Sequence, residues 1–218
     1  MTGSVLFLGK KDDPGSTAAL KFVTDNFGEV SAHLGQWREP APAAFDSWTG
    51  DYIVSYLSRW VVPAGLIARA RRAAINFHPA SPDYPGIGCV NFALYDDAPT
   101  YGATCHFMAP QVDTGGIIAT KRFAVQASDT VETLLSRTYA FQLVLFYEVM
   151  DRILAGETLV AGDQRWTRKP FSRKEFNQLA TITAEMSPQE IARRIRATAF
   201  GPWKPTLEVG GFTFELQG

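Results

Sequence analysis

This sequence has little of what several function classes require. It holds two cysteines among 218 residues. These are Cys89 and Cys105, whose spacing makes neither a redox motif nor part of a zinc site, and both read as small buried apolar residues. Metal ligation needs a converging set of ligands that the sequence does not offer, so no metal is expected. No apolar run approaches the length of a membrane span, so no membrane contact is expected. The start, Met1-Thr2-Gly3-Ser4, passes straight into an apolar strand with no basic n-region or cleavage site, unlike a signal peptide. Charge of one sign is also missing: 21 Lys and Arg stand against 22 Asp and Glu, a formal net charge of −1. A protein that grips a long nucleic acid carries a basic excess, so no nucleic-acid partner is expected. Internal repeats and low-complexity segments are absent as well. Together these absences lead to the expectation of a cytoplasmic, reduced location.

What is there suits one good-sized core, or one core with a short appendage: 46% of the residues are hydrophobic and 20% charged. Val5-Leu6-Phe7-Leu8-Gly9 is a continuous apolar run ending in glycine, the pattern of a buried parallel strand. A helix pattern follows from Pro14, then a strand over 29–34 and a Pro/Ala-rich loop over 39–44. Tyr52 to Leu57 reads as a third strand, Pro63 starts a short helix, and Ala73 to His78 is a fourth strand. Alternation of this kind implies a parallel sheet covered by helices. Further on, a short helix is expected over 91–95 and strands over 103–108 and 116–123. The longest helix spans 130–153, with Asp129 as its cap. Arg165 to Lys174 is basic and aromatic; its basic residues Arg165, Arg168, Lys169, Arg173 and Lys174 read as solvated surface, with contact to phosphates as the alternative. Ser187 to Ala197 is a capped helix. The end is a hairpin, Thr206–Val209 and Phe212–Glu215 about the turn Gly210-Gly211. This divides the chain into a core over 1–160 and a short extension over 161–218.

The chemistry concentrates between Ile75 and Ile118. In Ile75-Asn76-Phe77-His78-Pro79, strand alternation sends Asn76 and His78 to one face and Ile75 and Phe77 to the other. Pro79 lacks an N–H and ends the ladder. A lone carboxylate follows in Val112-Asp113-Thr114-Gly115. Such a set suits acyl-group chemistry: an amide dipole for an oxyanion, an imidazole for protons, a carboxylate to orient it.

These residues, with Tyr84-Pro85-Gly86 and Tyr101-Gly102-Ala103-Thr104-Cys105-His106, resemble the 10-formyltetrahydrofolate-dependent formyltransferase family. They match its Asn-x-His-Pro strand end, its Pro/Gly loop, its Gly-x-Thr-x-His strand and its Val-Asp-x-Gly loop, in order, over roughly residues 50 to 125. The resemblance implies a Rossmann-like α/β fold and 10-formyltetrahydrofolate as formyl donor. It implies Asn76, His78 and Asp113 as the catalytic trio. Asn76 and a protonated His78 would hold the oxyanion, and Asp113 would raise the imidazole pKa. It implies folate contacts at Ser55, Tyr56, Leu57, Trp60, Val61 and Val62, and at Pro110, Gln111 and Val112 before the aspartate. Tyr84 and Gly86 fall in the substrate-facing loop, and Trp203 in Phe200-Gly201-Pro202-Trp203 could stack on a substrate base. His106 reads as packing or support.

Departures from the family pattern narrow the acceptor. Methionyl-tRNA formyltransferases carry a further C-terminal barrel, and formyltetrahydrofolate hydrolases carry a regulatory domain ahead of the core; neither is seen in this sequence. Glycinamide ribonucleotide formyltransferases hold a phosphate with a Gly-rich loop after the first strand, where this chain has Gly9-Lys10-Lys11-Asp12-Asp13-Pro14. His78-Pro79-Ala80-Ser81-Pro82-Asp83 also replaces the usual His-Pro-Ser-Leu-Leu-Pro. The remaining likeness is to N-formyltransferases of nucleotide-linked amino sugars, supported by Arg196-Ala197-Thr198-Ala199-Phe200 before the hairpin. The expected partner is therefore a small amine acceptor, a nucleotide-linked amino sugar. Another acceptor (methionyl-tRNA, glycinamide ribonucleotide or a small amine) and a folate-binding protein without turnover stay open as alternatives. The end hairpin could pair across a homodimer.

Overall fold

The structure, a computed structural model, describes residues 3–215. Met1 and Thr2, where the reading of the N-terminus begins, lie outside them. The elements run β1 (Ser4–Lys10), α1 (Pro14–Asn26), β2 (Glu29–Gly35), α2 (Ala44–Ser47), β3 (Gly50–Tyr56), α3 (Ala64–Ile67) and β4 (Ala70–His78). Then come α4 (Cys89–Tyr95), β5 (Thr100–Phe107), β6 (Ile117–Ala124) and the 24-residue α5 (Val131–Leu154). The C-terminal part holds α6 (Arg173–Leu179), β7 (Thr181–Thr183), α7 (Pro188–Thr198), β8 (Thr206–Val209) and β9 (Phe212–Glu215).

The apolar run Val5–Leu8 is fully buried because β1 sits inside the six-stranded sheet, ordered β2-β1-β3-β4-β5-β6. Pairings from β2 to β4 are parallel, and β5 and β6 run antiparallel. The expected α/β architecture, a mostly parallel twisted sheet under helices, is the one observed.

Strand alternation gives the sheet two different faces. Tyr52, Val54 and Tyr56 of β3 and Ala73, Ile75 and Phe77 of β4 pack with α1 and α5 through Val23, Leu145, Phe146 and Val149. Ile53 and Ala74 point the other way and join Leu6, Leu8, Phe45 and Leu66. Among the described residues that second layer is covered by the short α2 and α3 and by loops. At the carboxyl ends of the parallel strands it is left open, the usual place for a ligand in an open α/β sheet.

One sequence expectation needs correction, and two features lie outside the sequence reading. The cap of α5 is Thr130, in a reciprocal box with Thr133. Asp129 instead accepts the Gln126 N–H at 2.6 Å and pairs with Arg137, so its carboxylate braces the preceding turn. The basic residues of 165–174 stay at the surface as expected, with Arg165, Lys169, Arg173 and Lys174 exposed and Arg168 half-buried, while the segment also builds structure. Ser172 and Glu175 form a capping box that starts α6, a Ser-x-x-Glu signal legible in the sequence. Phe171 is buried there, stacked on Phe92 at 3.6 Å. Lastly, β7 is a three-residue strand whose existence depends on pairing with β8, which local pattern does not reveal. Phe171, Leu179 and Ala197 from the C-terminal part share one buried cluster with Tyr84, Phe92, Leu94, Tyr101 and Leu134.

Candidate active site

Asn76 and His78 lie on the thinly covered face at the end of β4. The register of β4 with β5 sets Asn76 opposite His106 and His78 opposite Thr104. This strand end is fixed from several sides. Gln142 of α5 donates its Nε2 to the Phe77 carbonyl at 2.7 Å. Beyond Pro79, Tyr101 donates to the Pro79 carbonyl at 3.0 Å and Thr104 to the Ala80 carbonyl at 2.7 Å. These bonds satisfy backbone oxygens that the interrupted ladder leaves unpaired.

Asp113 arrives on the loop between β5 and β6 with φ of 51°. Left-handed backbone is uncommon outside glycine, and it often marks a functional turn. Leu57, with φ of 55°, is a second case on the same cavity wall. The buried Asp113 carboxylate stands between two imidazoles. Oδ2 is 3.5 Å from His78 Nδ1 and Oδ1 is 3.4 Å from His106 Nε2. Oδ2 also accepts the Gly86 N–H at 3.0 Å. Gly86 has φ of 92°, and a Cβ there would stand 2.5 Å from the Phe171 backbone. Only glycine therefore presents its N–H to Asp113 at that point.

His106 completes the cluster. Its Nδ1 is 2.8 Å from the Phe107 carbonyl and its Nε2 is 3.1 Å from Asn76 Nδ2. A carbonyl cannot donate, so Nδ1 carries the proton. Nε2 then accepts from the Asn76 amide. Trp166, anchored by its Nε1 on the Gly115 carbonyl at 2.8 Å, sets its ring edge-on to His106. The sequence reading leaves His106 at support and misses Trp166, whose place depends on the path of the chain after α5.

Burial decides the charges. It works against the Asp113 carboxylate, but the two imidazoles and the Gly86 N–H outweigh it and hold the pKa down to about 2. Burial also pushes His78 below the ordinary imidazole value, and here the nearby carboxylate only partly offsets it. The protonated His78 that the resemblance implies belongs to the tetrahedral intermediate; at rest, burial favours the neutral ring. At neutral pH the resting site pairs an ionised Asp113 with a neutral imidazole, because desolvation of the ring exceeds the pull of the carboxylate.

The cluster opens into a cavity of about 520 Å³. Of the residues implicated by sequence, Ser55, Leu57, Trp60, Val61, Val62, Asn76, His78, Gly86, Val112 and Asp113 line it. Tyr56, Tyr84, Pro110, Gln111 and Trp203 do not. Tyr56 and Tyr84 are buried in clusters away from the cavity, and Trp203 is exposed, its backbone paired with Phe200. For Tyr56 the cause is alternation: its neighbours Ser55 and Leu57 face the cavity, and Tyr56 faces α5. Among the described residues no group of three or more His, Cys, Asp and Glu is placed to hold a metal ion. The apolar wall of Trp60, Val61, Val62 and Val112 would suit a planar heterocycle beside the polar cluster.

The loop after β1 is closed to phosphate in a specific way. Asp13 caps α1, accepting the Ser16 N–H at 2.8 Å, and pairs with Lys10 at 3.2 Å. A protein carboxylate thus occupies the N-terminus of this helix, the position where an anionic ligand would bind.

Residues 31–150 match the family model described as formyl transferase. GDP-perosamine N-formyltransferase of Brucella melitensis biotype 1 is 27% identical over 158 residues, covering 72% of this chain and 60% of that protein. The chain thus aligns with about 60% of the length of this curated relative. Among solved structures, a 4-N formyltransferase from Francisella tularensis superposes with a TM-score of 0.78 at 18% identity, covering 97% of this chain and 96% of that one. An N-formyltransferase from Helicobacter canadensis, in complex with folinic acid and dTDP-3-aminofucose, gives 0.71 at 18% identity over 95% of this chain and 84% of that one. At these identities the two structures establish the shared fold.

Proposed function

Because the chain belongs to the formyl transferase family, we propose that it moves a formyl group from 10-formyltetrahydrofolate to the primary amine of an amino sugar linked to a nucleotide. The observation that carries this reading is the Asp113 carboxylate held between His78 and His106, with Asn76 bonded to His106 on the same cavity wall. The nucleotide-sugar acceptor is supported by the named relative, a GDP-perosamine N-formyltransferase, and by the neighbour carrying folinic acid and dTDP-3-aminofucose.

In this mechanism the pterin lies against Trp60, Val61, Val62 and Val112, and the neutral amine attacks the formyl carbon on N10. A C–N bond forms and the carbonyl oxygen becomes an oxyanion, which accepts from the Asn76 amide N–H not used by His106. His78, neutral at rest, takes the amine proton, and the ionised Asp113 stabilises the imidazolium that results. The bond to N10 then breaks as the proton passes from His78 to the folate nitrogen. The products are the N-formyl sugar and tetrahydrofolate. His106 is a positioning residue: its tautomer fixes which end of the Asn76 amide faces the oxyanion.

The division into a core over 1–160 and an extension over 161–218 is retained as a proposal, with the cytoplasm as the site of action. A homodimer through the end hairpin is proposed on its apolar face. In the β8–β9 register, Leu207 pairs with Phe214 and Val209 with Phe212, so all four share one side, and all are exposed. An exposed apolar edge of this kind invites pairing.

The test is transfer from 10-formyltetrahydrofolate to a panel of nucleotide-linked 3-amino and 4-amino sugars, read as tetrahydrofolate release and the mass gain of one formyl group. Transfer to methionyl-tRNA, glycinamide ribonucleotide or a free small amine in preference to every sugar would redirect the acceptor. Tight folate binding with no transfer to any amine would sink the enzyme reading.

A further inference from the structure

We propose that Trp37 and Arg59 form the nucleotide seat of the acceptor, with the base stacked on the Trp37 ring and the diphosphate on the Arg59 guanidinium. This rests on the nucleotide-sugar reading above. Lys10 and Arg59 are the two Lys or Arg side chains that line the cavity. Lys10 is engaged by Asp13, and with it the N-terminus of α1 is closed to a phosphate. Arg59 has no carboxylate partner among the described residues; its guanidinium carbon lies 5.5 Å from the centre of the Trp37 ring. An anionic acceptor entering this cavity therefore meets one uncompensated cation, at Arg59.

Trp37 also lines the cavity although 61% of it is exposed, unusual for so large an apolar ring. A built turn holds it out. Arg38 has φ of 71°, left-handed backbone that a non-glycine residue seldom adopts. Gln36 donates its amide to Asp12 at 3.0 Å and its backbone N–H to Glu39 at 3.0 Å. The Trp60 indole N–H is shared by the Glu39 and Pro40 carbonyls at 3.1 and 3.0 Å. Trp60 can lie this close because residue 35 is glycine: a Cβ there would stand 2.2 Å from the indole. Trp60 thus ties the turn bearing Trp37 to the segment bearing Arg59. An exposed aromatic face beside a guanidinium that no described carboxylate neutralises is the chemistry that takes a base and its phosphates: stacking is tolerant of base identity, and the planar fork matches phosphate oxygens.

The experiment is titration of the intact protein with GDP, dTDP and 5-formyltetrahydrofolate, for wild type, Trp37→Ala, Arg59→Ala and Arg59→Lys. Each alanine variant is expected to weaken a nucleoside diphosphate about tenfold or more. Arg59→Lys should fall between, and folate affinity should stay within about twofold, which also shows that the variants are folded. Weakened folate binding with unchanged nucleotide binding would assign the pair to the folate tail and overturn the proposal, as would equal loss of both ligands or no change in either. Wild-type protein that binds folate but neither nucleotide overturns the seat and the nucleotide-sugar acceptor together. Normal nucleotide binding in the variants overturns the seat alone.

Discussion

Asn76 and His106 face each other across the β4–β5 pair, amide nitrogen to ring Nε2 at 3.1 Å, while the other ring nitrogen is 2.8 Å from the Phe107 carbonyl. That geometry makes the tautomer of one residue the determinant of the amide orientation of the other. A proton on Nε2 would turn toward Asp113 and oblige Asn76 to present its oxygen to the ring.

The first prediction concerns this pair. Nitrogen NMR of the resting protein should find His106 protonated at Nδ1. His106→Ala should lower kcat by about tenfold or more, with the KM for folate little changed, because a mispositioned Asn76 withdraws help only from the transition state. His106→Asn, which can still accept from Asn76, should recover part of the loss. Equal damage by both variants would count against the positioning role.

A pH profile tests the charge assignment. His78 is held below its ordinary value of 6.5 by burial, so the ring takes up its proton at lower pH than a free imidazole. The acid limb of kcat/KM is therefore expected below pH 6.5. Stability follows the same sign. The unfolded chain takes up the proton first, so the contribution of His78 is present above pH 6.5 and is lost as the pH falls through the window below it. A rate that declines from pH 7.5 on the acid side would contradict the neutral resting ring.

Asp113→Asn keeps shape and removes charge. Loss of the carboxylate that raises the His78 pKa should shift the acid limb further down and lower kcat by about 10²-fold. Both effects appear together in one pH–rate series.

Gly86→Ala probes the loop that holds Asp113. With φ of 92° and a Cβ position 2.5 Å from the Phe171 backbone, the change should destabilise the fold by about 2 kcal/mol or more. It should also weaken the N–H contact to Asp113. Denaturant melts measure the first effect, and a raised apparent pKa for the carboxylate measures the second.

The hairpin prediction is separable from all of these. Phe212 and Phe214 are 71% and 55% exposed. Phe212→Asp with Phe214→Asp should turn a dimer into a monomer by light scattering while leaving folate binding intact. Wild-type protein that is already monomeric at high micromolar concentration would remove the hairpin as an interface.

Much of this site can be read locally. Alternation in Ile75–His78 sends Asn76 and His78 to one face, and Pro79 ends the strand after them. The same rule applied to Ser55-Tyr56-Leu57 would have excluded Tyr56 from the cavity. A Ser-x-x-Glu signal at Ser172 marks α6. Other features have no local signature: β7 forms only against β8, and Trp166 reaches His106 only because the chain after α5 crosses behind the site.

By itself the sequence determined the alternating α/β order, the polar pair on β4 and the carboxylate that follows. Period-2 patterning, proline and glycine act over a few residues, and their effects are fixed before any packing. The tertiary structure alone decided that Asp113 stands between two imidazoles, that burial lowers the His78 pKa, and that Asp13 closes the first loop while Arg59 finds no carboxylate among the described residues. Those outcomes depend on burial and on distances between residues far apart in the chain, because a charge is set by what surrounds it in space.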